Sequence, residues 1–121
     1  MKNEVNEKVK PMILTYNDTG EKYVLEFSRE SIKFAEQRGF KINDIRDFPM
    51  TMLPDFFFYA FRMHHRNVAR SRTDKILTED LEGLDSAMIE RLAMLYNAPL
   101  NALIRDDEDG EQKNARMTVE L

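Results

Sequence analysis

The sequence predicts an α+β fold that is mainly helical, with an N-terminal β-hairpin packed against about four α-helices. Three observations carry this. Two short runs of alternating polarity, Met12–Tyr16 and Tyr23–Phe27, flank the turn residues Asn17-Asp18-Thr19-Gly20. The segment Thr51–His65, TMLPDFFFYAFRMHH, places Leu53, Phe56, Phe57, Ala60, Phe61 and His64 at helical spacing without one glycine. Leu84–Tyr96 repeats that spacing with Met88, Ile89, Leu92, Leu95 and Tyr96.

The hairpin follows from its turn, because Asn, Asp and Gly tolerate positive φ. Met12, Leu14 and Tyr16 share one side of the first strand, and Tyr23, Leu25 and Phe27 one side of the second. Glu26 is expected to point away from that side, while Ile13 and Val24 leave the other side partly apolar. A lone hairpin is marginal in water, so helices or a second copy must cover its apolar face.

Ser28 is expected to cap a short helix carrying Ile32, Phe34 and Ala35, with Glu30 in its first turn and Gly39 just past its end. Phe40 and Ile42 return the chain to the core. Asn43 or Asp44 begins a brief turn that Pro49 ends. The phenylalanine-rich helix comes next, with Thr51 as its N-cap and Pro54 and Asp55 in its first turn. Phe58, Tyr59 and Met63 fall on its flanks, so the helix is apolar over most of its circumference. Such a helix is buried on several sides or carries surface for a partner.

The basic stretch HHRNVARSRTDK, residues 64–75, either continues this helix to Arg70 or interrupts it with a loop. Thr73 is expected to cap a further helix running through Leu81, and Glu82-Gly83 breaks it. Asp85 caps the next helix, with Leu84 as the apolar residue before the cap. Asn97 is expected to end that helix and Pro99 to prevent its continuation, leaving Leu100, Leu103 and Ile104 for one more apolar turn. By domain, residues 1–10 read as a flexible N-terminus, 11–105 as one α+β domain, and 106–121 as an acidic flexible tail opening on DDEDGE. Met117, Val119 and Leu121 alternate at its end, the pattern of a peptide that can add a strand to a partner's sheet.

Composition narrows the function. A chain of 121 residues supports one core. A net charge of -4 argues against a general nucleic-acid binder. Cysteine is absent, which removes disulfides and thiolate metal sites. No signal peptide is read at the N-terminus and no apolar run approaches the ~20 residues of a membrane span. A soluble cytoplasmic domain is the expectation.

No reaction centre is expected. His64 and His65 are the two histidines, and adjacent helical residues point about 100° apart, a poor arrangement for chelating one ion. His64 reads as a hydrogen-bonded boundary residue and His65 as lying near solvent beside Arg66. The serines lack a nucleophile elbow, and the four glycines, Gly20, Gly39, Gly83 and Gly110, are isolated rather than a phosphate loop. Catalytic, metal-ligating and cofactor-binding residues are therefore all read as none. The basic segment reads as a solvated face paired with nearby acids, as a dock for an acidic partner or the chain's own acidic tail, or, last, as a nucleic-acid contact. The candidate partner-binding residues are Phe58, Tyr59, Arg62, His65, Arg66, Arg70 and Arg72.

The segments YVLEFSRESIKFAEQRGF, FPMTMLPDFFFYAFRMHHR and MIERLAMLYNAPLNAL resemble a family of small phage proteins of unassigned function. Those proteins look like the tail assembly chaperones of long-tailed phages that infect Gram-positive bacteria. The similarity covers residues 12–104. It implies a non-enzymatic protein of the host cytoplasm that binds the tape-measure protein, tail tube subunits or both during tail morphogenesis. It also implies that Arg66, Arg70 and Arg72 meet acidic partner residues. Eight methionines and eight phenylalanines suit an adaptable apolar surface. The alternative is a phage-encoded protein that engages a host defence or regulatory protein. Self-association is compatible with either.

Overall fold

The computed structural model describes residues 8–104 and 116–121. Two antiparallel strands, β1 (Met12–Thr15) and β2 (Lys22–Leu25), are followed by four helices: α1 (Arg29–Gln37), α2 (Pro49–Ala60), α3 (Arg70–Lys75) and α4 (Ser86–Asn101). A short 3₁₀ turn, Ile42–Asp44, joins α1 to α2, and α3 runs on as a π-helical turn over Ile76–Asp80. The expected α+β architecture is the observed one.

The hairpin register pairs Met12 with Leu25 and Leu14 with Tyr23. Gly20 takes φ +79° to close the turn, and Tyr16 N–H donates to the Glu21 carbonyl at 2.9 Å. The inner face meets a core of stacked and edge-on rings. Phe56 lies parallel to Phe27 and Phe40 at 5.5 and 5.7 Å, while Tyr96 meets all three edge-on. Such offset and T-shaped pairs follow the ring quadrupole. Leu25, Ala35, Phe57, Tyr59, Ala60, Phe61, Ile76, Leu92 and Leu95 complete the buried set. The hydroxyls of Tyr59 and Tyr96 hold their protons more tightly than usual because burial disfavours the phenolate.

Helix α1 is fixed at both ends by local chemistry. Ser28 Oγ accepts from Ser31 N–H, Ser31 Oγ accepts from Ser28 N–H, and Gly39 at φ +93° turns the chain out. Helix α4 starts as expected, with Asp85 Oδ1 accepting from Met88 N–H at 2.8 Å.

Three boundaries differ from expectation, and the choice left open after α2 is decided. Helix α2 begins at Pro49, not at a Thr51 cap: Pro49 fills the first helical position, and the carbonyl of the preceding Phe48 accepts from Thr51 and Met52 N–H. Pro54 therefore sits inside the helix, where its missing N–H forfeits only the bond to exposed Met50. Thr73 does not cap α3. It is buried within it, its hydroxyl donating back to the Arg70 carbonyl at 3.0 Å. Helix α4 passes through Pro99 to Asn101, because a proline in the last turn removes one bond and leaves the packed stripe before it intact. The segment between α2 and α3 is a loop, so His64 does not extend the stripe of α2.

The expected N-terminal and acidic segments fall largely outside the described residues, at 1–7 and 105–115. Residues 116–121 are exposed.

Candidate functional site

The loop that follows α2 clasps the outer edge of β2. Residues with backbone directed away from β1 would present unpaired donors there. Instead Val24 N–H donates to His65 Nε2 at 2.9 Å, and Glu26 N–H donates to the Ala60 carbonyl at 3.0 Å. His65 must therefore be neutral with its proton on Nδ1, the tautomer that leaves Nε2 free to accept. The ring packs edge-on against Tyr23 and Phe61, at 5.1 and 6.2 Å. Burial lowers its pKa below 6.5, and the neighbouring His64 lowers it further. His65 is thus a half-buried structural acceptor, not the solvent-facing partner residue the sequence suggested.

His64 is the more exposed of the two, and its Nε2 lies 2.9 Å from Glu26 Oε1. Glu26 is buried, contrary to expectation. The chain leaves β2 at this point, and the Ala60 contact turns the Glu26 side chain under the loop, where His64 and, at 3.8 Å, Lys8 satisfy it. Among the described residues no group of three or more His, Cys, Asp or Glu could hold a metal ion. No described helix is long and apolar enough to cross a membrane.

The basic stretch divides into two parts with different work. Arg70 bridges Asp55 at 2.9 Å and Asp74 at 3.0 Å, tying α3 to α2, and stands 5.5 Å from the Phe58 ring. Arg72 meets the Tyr23 hydroxyl at 3.4 Å and Glu21 at 3.9 Å, tying α3 to the hairpin. Tyr16 donates to Asp80 beside it, which pushes the Tyr16 hydroxyl up to about 12. Arg70 and Arg72 are therefore internal struts.

Arg62 and Arg66 have no carboxylate within ion-pair distance among the described residues. The Arg62 guanidinium lies 3.6 Å from the Phe34 ring centroid and that of Arg38 lies 3.5 Å from it. Two such groups cannot share one face at those distances, so they sandwich the ring. Burial lowers the pKa of Arg62, and the like charges of Arg66 and Arg38 lower it further. Tyr59, expected on a partner surface, lies beneath this sandwich with 7% exposure, edge-on to Phe34 at 6.1 Å. Phe58 is half-buried against Tyr59 at 5.1 Å.

Two grooves flank this cluster and share Ser28 and Met63 along their common border. The larger, about 1050 Å³, runs between the start of α1 and the last turns of α4, with Met63 and Met94 at its surface. The smaller, about 500 Å³, lies over Phe34, between Lys33, Arg62 and Arg66. Seven lysine and arginine residues and two glutamates line the pair, on a chain whose net charge is -4. Of the candidate residues, the structure brings Arg62 and Arg66 to this surface. It places Phe58, Tyr59, His65, Arg70 and Arg72 in packing, hydrogen-bonding or bracing roles. The sequence reading missed Phe34, Arg38, Met63 and Met94 as surface partners of these arginines. The signal was faint, since Phe34 on α1 and Arg38 at its C-cap are spaced i, i+4 and nothing local ties them to Arg62.

A family model described as "Domain of unknown function (DUF5055)" matches residues 5–121. No curated protein and no solved structure matches the chain.

Proposed function

We propose, for a chain that belongs to the DUF5055 family, that it is a non-enzymatic assembly chaperone of a long-tailed phage, acting in the host cytoplasm. Its partner is the tape-measure protein, tail tube subunits or both. The identity of the partner rests on the sequence resemblance described above. The observation that supports a binding role is the double groove itself. Met63 and Met94 are 39% and 46% exposed on its walls, beside cations with no acidic partner among the described residues. Methionine adapts to varied apolar side chains at little cost, the property needed to hold successive stretches of a long helical chain. Exposed apolar surface rimmed by charge is the usual mark of a protein–protein site.

Co-expression with the tape-measure protein and the tube subunit tests the reading. A complex with either that survives purification at near-physiological salt is expected. Failure to recover both, with the isolated proteins folded, counts against it. Recovery of one host protein at fixed stoichiometry instead would move the chain to the alternative reading, engagement of a host defence or regulatory protein.

A further inference from the structure

We infer that the double groove takes an amphipathic helix whose apolar stripe is flanked by glutamate or aspartate, the apolar side against Met63 and Met94 and the carboxylates against Arg62, Arg66 and Arg29. This rests on the reading of the chain as a helix-binding chaperone and adds the chemistry of the segment it selects.

The argument is one of charge left over. Elsewhere on the described surface Arg70, Arg72 and Lys75 each meet carboxylates of the chain itself, while Lys22, Lys41 and Arg46 make no ion pair with a described residue. Around Met63 the unmatched cations are gathered on one surface. Arg29, Lys33, Arg62 and Arg66 line the grooves with no described carboxylate within 4.0 Å, although Glu30 stands among them. Glu26 is taken by His64 and Lys8.

The cluster is also held rigid. Phe34 is pinned between Arg38 and Arg62 and backed by buried Tyr59, so the Arg62 guanidinium is fixed before a ligand arrives. A planar guanidinium held this way loses little freedom on meeting a carboxylate. Cations gathered without counter-charge repel one another, and an acidic partner relieves that repulsion as it binds. The apolar floor distinguishes this surface from a phosphate-binding one. Met63, Met94 and Leu95 supply side chains for a leucine stripe, which a phosphate held by the cations alone would leave uncovered.

The test uses the full chain and two synthetic helical peptides that share one leucine stripe, one flanked by glutamate and the other by lysine. The glutamate peptide is expected to bind about tenfold or more tightly at low salt. That preference should collapse near 1 M salt, where the screening length is about 3 Å. Arg62→Glu with Arg66→Glu should reverse the preference. Because Arg62 also packs on Phe34, Arg66→Glu alone serves as the second variant. Arg66 is exposed and makes no described ion pair, so the fold stays intact and the preference should fall several-fold.

Equal binding of the two peptides, or a preference unmoved by Arg66→Glu, overturns the inference. So does tighter binding of a single-stranded oligonucleotide than of the glutamate peptide. So does a dimer, formed without peptide, that Arg66→Glu dissolves, since the groove would then belong to a second copy. If the preference is absent while the tape-measure protein still co-purifies, the inference fails and the chaperone reading stands. If the preference holds and neither tail protein co-purifies, the surface stands and the chaperone reading fails.

Discussion

Replacing His65 by Phe separates the imidazole's hydrogen bond from its packing. The ring contacts with Tyr23 and Phe61 are of a kind a phenyl group can keep. The acceptor for Val24 N–H, at 2.9 Å in the native chain, is lost. An unsatisfied backbone donor costs about 1–3 kcal/mol, and because Val24 is half-buried the lower half of that range applies. For a domain of this size, about 1 kcal/mol lowers the midpoint of thermal unfolding by about 4–8 °C.

The pH dependence is the sharper readout. Burial, then the adjacent His64, depresses the folded-state pKa of His65 below its ordinary 6.5. As pH falls through 6.5 the unfolded chain takes up a proton that the folded chain refuses. The stabilisation is therefore complete above 6.5 and is lost as pH falls toward the folded-state value, by at most about 1.4 kcal/mol per pH unit. Protonation also sets a donor against the Val24 donor. The groups facing the ring are the Tyr23 and Phe61 rings, His64 and the Val24 amide, and His64 in turn reaches Glu26. The variant keeps the His64–Glu26 contact, so the comparison reads His65 together with its coupling to His64. Urea unfolding followed by circular dichroism suits a chain without tryptophan. The gap between wild type and His65→Phe should be widest at pH 7.5 and narrow toward pH 5. A gap that stays constant across that range would refute the assignment of His65 as a neutral acceptor.

Three further outcomes follow from the packing. Phe56→Ala empties the centre of the ring cluster and should cost about 3–5 kcal/mol by chemical denaturation, whereas a loss under about 1 kcal/mol would mean the ring is not central. Arg70→Ala removes a partly exposed pair with Asp55 and Asp74, so its loss should stay near or below about 1 kcal/mol, and peptide binding should not change. Gly39→Ala meets no atom within 4 Å but forces φ +93° on a residue with a Cβ, so melting should report a loss of about 1–2 kcal/mol.

The parts of the fold readable in the sequence were those fixed by neighbours along the chain. The NDTG turn, the Ser28–Ser31 exchange with Gly39, and the Asp85 cap all act within a few residues. Where a distant residue decides, the sequence was mute or misleading. His65 looked solvent-facing because its partner, Val24, lies 41 residues earlier. Glu26 looked outward because strand alternation was extended past Leu25, where β2 ends. The five arginines from Arg62 to Arg91 carry the same charge in the sequence. Which of them are free depends on Asp55, Asp74 and Glu21, placed by the packing of α3 on α2 and the hairpin. Tyr59 was assigned to the wrong face for the same reason: α2 is contacted on more than one side, by α1 as well as by α3.

The most direct measurement is of the methionine methyl groups of the full chain, isotope-labelled and observed by NMR as the tape-measure protein is added. Met63 and Met94 resonances should move together and saturate, while those of Met50 and Met117, exposed and not among the groove-lining residues, should stay in place. Movement confined to Met50 or Met117, or no movement at any methyl at saturating partner, would contradict a chain that acts by holding a helix against its cation-rimmed methionine surface.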